Sequence, residues 1–174
     1  MARGSTEPGN MGSVVGAPLC AALKAGGDVA CQGVGGAYQA TLASNLLPKG
    51  TDDASIQEAV NIINKAMTQC PNSKIVLAGY SQGSAVISQA VQSMPKASQA
   101  KIAGVAFYGY TKNQQTNGML PGYPPAQTKV FCRADDGVCG GQLIVTAGHL
   151  AYGVDGSIQQ GADFLRKMAA AATA

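Results

Sequence analysis

Charge is scarce in this sequence. Asp, Glu, Lys and Arg make up 12% of its 174 residues, and the net charge of +3 is spread along the chain without a Lys/Arg cluster. Aromatic residues, at 5%, are too few to interleave with such a cluster, so nucleic acid is not expected as a partner. Histidine is scarcer still: His149 stands alone. The cysteines show no C-x2-4-C pair with further His or Cys ligands, so no metal site of the zinc type is expected. Met1-Ala2-Arg3-Gly4 leads straight into a polar loop with no signal-peptide pattern, which reads as a processed or engineered form. The uncharged run over residues 75–95 is long enough to span a bilayer. Gln82, Gln89, Gln92 and four serines within it favour a strand followed by a buried helix, and no transmembrane segment is expected. No internal repeat is present.

Apolar residues, by contrast, are plentiful at 46%, enough for the core of one domain. Residues 3–12 read as a loop and Ala17–Leu23 as a short helix ending near Gly26-Gly27. Asp28–Val34 read as a strand, followed by turns at Gly33–Gly36 and Pro48-Lys49-Gly50. Thr51 or Asp52 caps a helix with Ile56, Val60, Ile63 and Met67 on its apolar face. Strands are expected at residues 75–77, Ile102–Tyr108 and Thr128–Cys132, a loop over Asn113–Pro125, and a last helix over Gly156–Ala172. Strands that are continuous apolar runs, alternating with helices, indicate a parallel sheet covered on both faces.

The organising stretch is Lys74–Ile87. Its apolar β-branched first half leads through Gly79-Tyr80-Ser81-Gln82-Gly83 into a helical pattern. A G-x-S-x-G sequence between strand and helix is the context of a nucleophile elbow, in which the serine is held at an unfavourable backbone angle above a helix N-terminus. A nucleophilic Ser81 needs a base, and His149 is the one histidine available. The carboxylates between them are Asp135 and Asp136, so the order Ser, acid, His permits one triad with two adjacent choices of acid.

Five cysteines in a weakly charged chain suggest an oxidising compartment. Local disulfides Cys20–Cys31 and Cys132–Cys139 are the natural pairing and leave Cys70 over. The second would close an eight-residue loop around both candidate acids, worth about 2.5 kcal/mol on the chain-entropy view.

Arg3-Gly-Ser-Thr-Glu, Gln32-Gly-Val-Gly-Gly, Gly79-Tyr-Ser-Gln-Gly, Gly109-Tyr-Thr-Lys-Asn, the Cys132–Cys139 loop and His149-Leu-Ala-Tyr together resemble the fungal cutinases. The likeness spans nearly the whole chain; acetylxylan esterases share the elbow and are near neighbours. It implies a secreted, monomeric serine esterase, a three-layer α/β-hydrolase-like domain over residues 1–174, acting on cutin-type polyesters and lipid-like short- to medium-chain esters without cofactor or metal. A carbohydrate deacetylase and a truncated inactive homologue are the alternatives. The resemblance selects Asp136 as the acid beside Ser81 and His149. It puts the oxyanion hole at Ser5 and the Gln82 backbone N–H, gives Asn45 the support of the Ser5 hydroxyl, and sets Leu42, Leu143 and Val145 on the rim of the acyl crevice. Asp135 stands where the family has glycine; it either repels Asp136 or points to solvent. The family also carries a strand before the Arg-Gly-Ser-Thr loop, with a cysteine that pairs with the counterpart of Cys70. Only Met1 and Ala2 precede Arg3 here, so reduced stability and a less firmly aimed Ser5 are expected.

Overall fold

Three parallel strands run through the middle of the computed structural model, which describes residues 1–173. In chain order the elements are α1 (Ala17–Ala25), α2 (Asp53–Gln69), β1 (Ile75–Tyr80), α3 (Gln82–Ser93), α4 (Lys96–Gln99), β2 (Ile102–Tyr108), α5 (Asn113–Thr116), β3 (Thr128–Phe131) and α6 (Ser157–Ala171). The strand order is β1-β2-β3, with Leu77 opposite Val105 and Val105 opposite Thr128.

Side chains of a strand alternate between faces, and here both faces are apolar. Leu77, Val105 and Phe107 pack against Ile56, Ala59 and Ile63 of α2 and Val86, Ile87, Ala90 and Val91 of α3. Ala78, Tyr80, Ala106 and Tyr108 pack on the opposite side against Leu19 and Leu23 of α1 and Ala162 and Leu165 of α6. Burial on both faces is why these strands read as unbroken apolar runs. The outcome is the expected α/β arrangement of a sheet between two helical layers. The run over residues 75–95 divides into β1 and the twelve-residue α3, and among the described residues no helix is long and apolar enough to cross a membrane.

Two local expectations are corrected. Asp28–Val34 is not a strand: its backbone pairing is confined to Gln32 and Val34, which meet Met1 through Met1 N–H to Gln32 O (2.9 Å) and Val34 N–H to Met1 O (2.8 Å). A contact this short cannot build a ladder, and the segment is instead tied down by the Cys20–Cys31 bridge. The Asn113–Pro125 loop contains the single turn α5, and a π-helical turn at Gly12–Gly16 precedes α1. Ala2 pairs in parallel with Gly79, giving its N–H to Ala78 O (3.0 Å) and accepting from Tyr80 N–H (3.1 Å). Met1 and Ala2 therefore lie between β1 and residues 32–34 and satisfy the backbone of both neighbours where the site is built. Cys132–Cys139 is the second disulfide, and Cys70, at the end of α2, is exposed and unpaired.

The cap of α2 is Asp52, not Thr51. Its carboxylate accepts from the Ser55 N–H (2.8 Å), the Ser55 hydroxyl (2.7 Å) and the Ser44 hydroxyl (2.9 Å). Partial burial pushes this carboxyl upward, but those hydrogen bonds outweigh it and hold the group below its ordinary 3.8. Asp52→Ala should lower stability by about 1 kcal/mol at neutral pH, read as a lower urea midpoint. Because the folded value lies below the unfolded one, the contribution is complete above the ordinary aspartate range. It is lost as pH falls through the folded value, so the gap between wild type and variant should close in acid.

Candidate active site

Backbone crowding makes the elbow. A Cβ on Gly79 would stand 2.6 Å from Gly83 O, and one on Gly83 would run into Ala2 O. Only glycine at both positions lets β1, α3 and the N-terminal segment converge. Ser81 between them is held at φ 55°, ψ −125°, a strained conformation for a residue with a side chain. Its N–H is fixed by Tyr108 O (2.9 Å), and α3 begins at the next residue, directing its N-terminal partial charge to this point.

His149 arrives on a 3-10 turn, Ala147–Leu150, and is 2% exposed. Its Nε2 lies 2.9 Å from Ser81 Oγ, and its Nδ1 lies 2.9 and 3.0 Å from the two oxygens of Asp136. An ionised carboxylate can only accept, so Nδ1 carries the proton and Nε2 is free to accept from the serine hydroxyl. Tyr80 holds the imidazole from below: its ring stacks at 5.2 Å and its hydroxyl donates to His149 O (2.8 Å).

Asp136 is buried and also accepts from Tyr152 O–H (2.6 Å) and Val138 N–H (2.9 Å). Burial pushes its carboxyl up, while hydrogen bonds from His149 and Tyr152 and the Val138 N–H pull it lower still, leaving a net depression that keeps it ionised. Asp135 turns away. It makes a two-point pair with Arg133 (2.8 and 3.0 Å) on the exposed side, so of the two adjacent acids Asp136 is the one that meets His149.

Ser5 is well held despite the short segment before it. Arg3 donates to the carbonyls of Glu7, Val34 and Tyr38, and Glu7 in turn accepts from the N–H groups of Gly4, Ser13 and Val14. The Ser5 oxygen accepts from Asn45 Nδ2 (2.7 Å) and Gln82 Nε2 (2.8 Å). Both lone pairs are thereby filled, so the hydroxyl proton is left to donate elsewhere. The Gln82 amide, fully buried, is itself fixed by Thr41 O (2.6 Å) and the Thr51 hydroxyl (3.1 Å). The Asn45 bond is the contact the resemblance implied; the Gln82 amide bond and the Arg3 and Glu7 anchors are ones the sequence did not reveal, and together they hold the Ser5 that was expected to be less firmly aimed.

Leu42 shares the 3-10 turn Leu42–Leu46 with Asn45, and Leu143 and Val145 lie on the segment leading into His149. They are 65%, 37% and 57% exposed, with Leu46, Ile144 and Leu150 exposed beside them in sequence. Sequence reasoning gave no role to Tyr80, Tyr152, Gly109 or the Gln82 side chain. Each belongs to a motif it did single out, but in those motifs the glycines, serine and histidine carried the signal.

Gly109 (φ 58°) shows how little space surrounds the imidazole: a Cβ there would stand 2.7 Å from His149 Cε1 and 2.8 Å from Nδ1. Gly109→Ala should push the ring off line and slow the reaction of Ser81 with an organophosphonate by about 10²-fold. Circular dichroism should show the fold retained, and an unchanged labelling rate would refute the crowding argument.

The Cutinase family model matches residues 1–169. A probable cutinase 3 from Neosartorya fischeri is 54% identical over 157 residues, covering 88% of this chain and 72% of that protein. Among solved structures, a Trichoderma reesei cutinase in complex with a phosphonate inhibitor superposes with a TM-score of 0.83 at 31% identity, over 96% of this chain and 73% of that one. An acetylxylan esterase shares the fold (TM-score 0.67) at 17% identity, over 96% of each chain. A match over nearly the whole chain, with identity above one half to a curated relative, shows that this protein belongs to the cutinase family.

Proposed function

We propose that the chain, acting as one domain and as a monomer, is a serine esterase that hydrolyses cutin-type polyesters and short- to medium-chain carboxylic esters through an acyl-enzyme. The observation that carries this is the unbroken line of hydrogen bonds Ser81–His149–Asp136 at a strained elbow, in a protein of the cutinase family. Ser81 Oγ attacks the ester carbonyl as His149 Nε2 takes its proton, and Asp136, ionised, stabilises the imidazolium. The oxyanion is received by Ser5, whose hydroxyl has only donation left to it, and by the Gln82 N–H at the start of α3. His149 then protonates the leaving alcohol, and a water activated by the same nitrogen releases the acid. No step calls for a metal or cofactor.

Leu42, Leu143 and Val145 are proposed to line the acyl crevice, since exposed apolar side chains on the Asn45 and His149 segments favour a fatty acyl chain over an acetyl group. Secretion is proposed on the two disulfides, which persist in oxidising compartments.

Hydrolysis of p-nitrophenyl butyrate tests the reading. Ser81→Ala, folded, should abolish turnover. Ser5→Ala should lower kcat by roughly 10²- to 10³-fold with KM nearly constant, as expected for a donor used in the transition state. A folded wild type with no turnover would mean an inactive homologue, and one that accepts acetate but rejects butyrate would be a deacetylase.

A further inference from the structure

Tyr152 comes three residues after His149 and is fully buried. Its ring stands edge-on to three aromatic neighbours: Tyr108 at 6.0 Å, Tyr80 at 6.3 Å and the His149 imidazole at 6.5 Å. Its oxygen accepts the Arg133 N–H (3.1 Å), and its proton goes to Asp136 Oδ2 at 2.6 Å, in the range of charge-assisted O–H···O⁻ bonds. The same carboxylate oxygen faces His149 Nδ1 at 2.9 Å. One acceptor atom is therefore shared between the base and a hydroxyl that packing prevents from turning away.

We propose that Tyr152 is a positioning residue whose hydroxyl fixes the rotamer of Asp136 and withdraws charge from it, setting how strongly the carboxylate holds the His149 imidazolium. The proposal rests on the reading of Ser81, His149 and Asp136 as the catalytic set. Burial, and then the bond to Asp136, raise the Tyr152 phenol far above its ordinary value, so it remains a donor at any working pH.

The other groups facing the pair are few. Ser81 Oγ meets Nε2, and Val138 N–H meets Asp136 Oδ1. Tyr80 of β1 gives its hydroxyl to His149 O, and Tyr108 of β2 gives its hydroxyl to Ser157 O. Both phenols are raised by burial and stay neutral, with Glu7 acting on Tyr80 and Asp155 on Tyr108. Arg133 pairs with both Asp135 and Asp155 on the exposed side. None of these charges replaces the Tyr152 proton on Oδ2.

The sign follows. Without the hydroxyl, Asp136 retains its full charge toward Nδ1, the imidazolium is stabilised, and His149 binds its proton at higher pH. Tyr152→Phe keeps the ring and removes only that donor. Because His149 is the single histidine of the chain, its ring C–H resonances can be titrated by NMR without assignment or turnover. In the variant the midpoint should rise by about half a pH unit or more. The acid limb of kcat/KM should move in the same direction, while kcat falls about tenfold at constant KM because Asp136, freed to rotate, no longer keeps His149 on line, a loss that outweighs the stronger hold on the imidazolium. A slower variant whose His149 titration and acid limb stay in place would make Tyr152 merely structural and overturn the proposal. The wild type offers an independent reading: a 2.6 Å bond should give a slowly exchanging, downfield Tyr152 hydroxyl proton, and a freely exchanging one would count against it. Failure of the underlying esterase reading looks different, because turnover would then be absent from wild type or persist in Ser81→Ala, whereas the His149 titration reports on Tyr152 in either case.

Discussion

Everything at this site hangs on how closely β1 and α3 are allowed to cross. Gly79 and Gly83 leave no room for a Cβ at the crossing, and the second of them lies against the carbonyl of Ala2. That contact gathers three segments at one point: the end of β1 that carries Ser81, the first turn of α3 that carries Gln82, and the N-terminal segment that leads through Arg3 to Ser5. Strain at Ser81 is the consequence, and it is sustained because its N–H is held by β2 and the flanking strand and helix are buried on both faces of the sheet.

Around that point the polar groups are satisfied in two sets that do not share members. One holds the proton-transfer line: Asp136, His149, Tyr152 and Tyr80, walled by aromatic rings and reached from the disulfide loop Cys132–Cys139. The other joins Ser5, Asn45, the Gln82 amide, Thr41 and Thr51 on the side where we propose the oxyanion is received. Ser81 stands between them, its hydroxyl on His149 Nε2 and its following residue, Gln82, bonded to Ser5 in the second set. On the proposed reading such preorganisation costs nothing at the moment of reaction, since the donors are fixed before substrate arrives. The side chains of Leu42, Leu143 and Val145, proposed to line the acyl crevice, are by contrast exposed.

Much of this was legible from the residues alone. The elbow was legible because strain, close approach and strand-to-helix change are local properties, written within five residues. The three strands were legible because burial on both faces leaves continuous apolar runs, and α1, α2, α3 and α6 from their apolar spacing and caps; the single turns α4 and α5 were not. Ser81 and His149 followed from chain order and from the scarcity of histidine. What composition and order left open was the acid: Asp135 and Asp136 are chemically identical neighbours, and the resemblance to a family favoured the second.

The sequence by itself determined the elbow, the nucleophile, its base and the layered α/β arrangement, since each depends on periodicity or on residues adjacent in the chain. Tertiary structure decided the rest. Arg133 draws Asp135 to solvent while Tyr152 and Val138 hold Asp136 inward. The Gln82 side chain reaches Ser5 across 77 positions of sequence, and Asp28–Val34, strand-like in composition, finds backbone partners only in Met1 and stays irregular. The physical reason is common to all three. A hydrogen-bonding group takes the partner that burial brings within 3 Å or so, and which partner that is depends on packing between segments far apart in the chain.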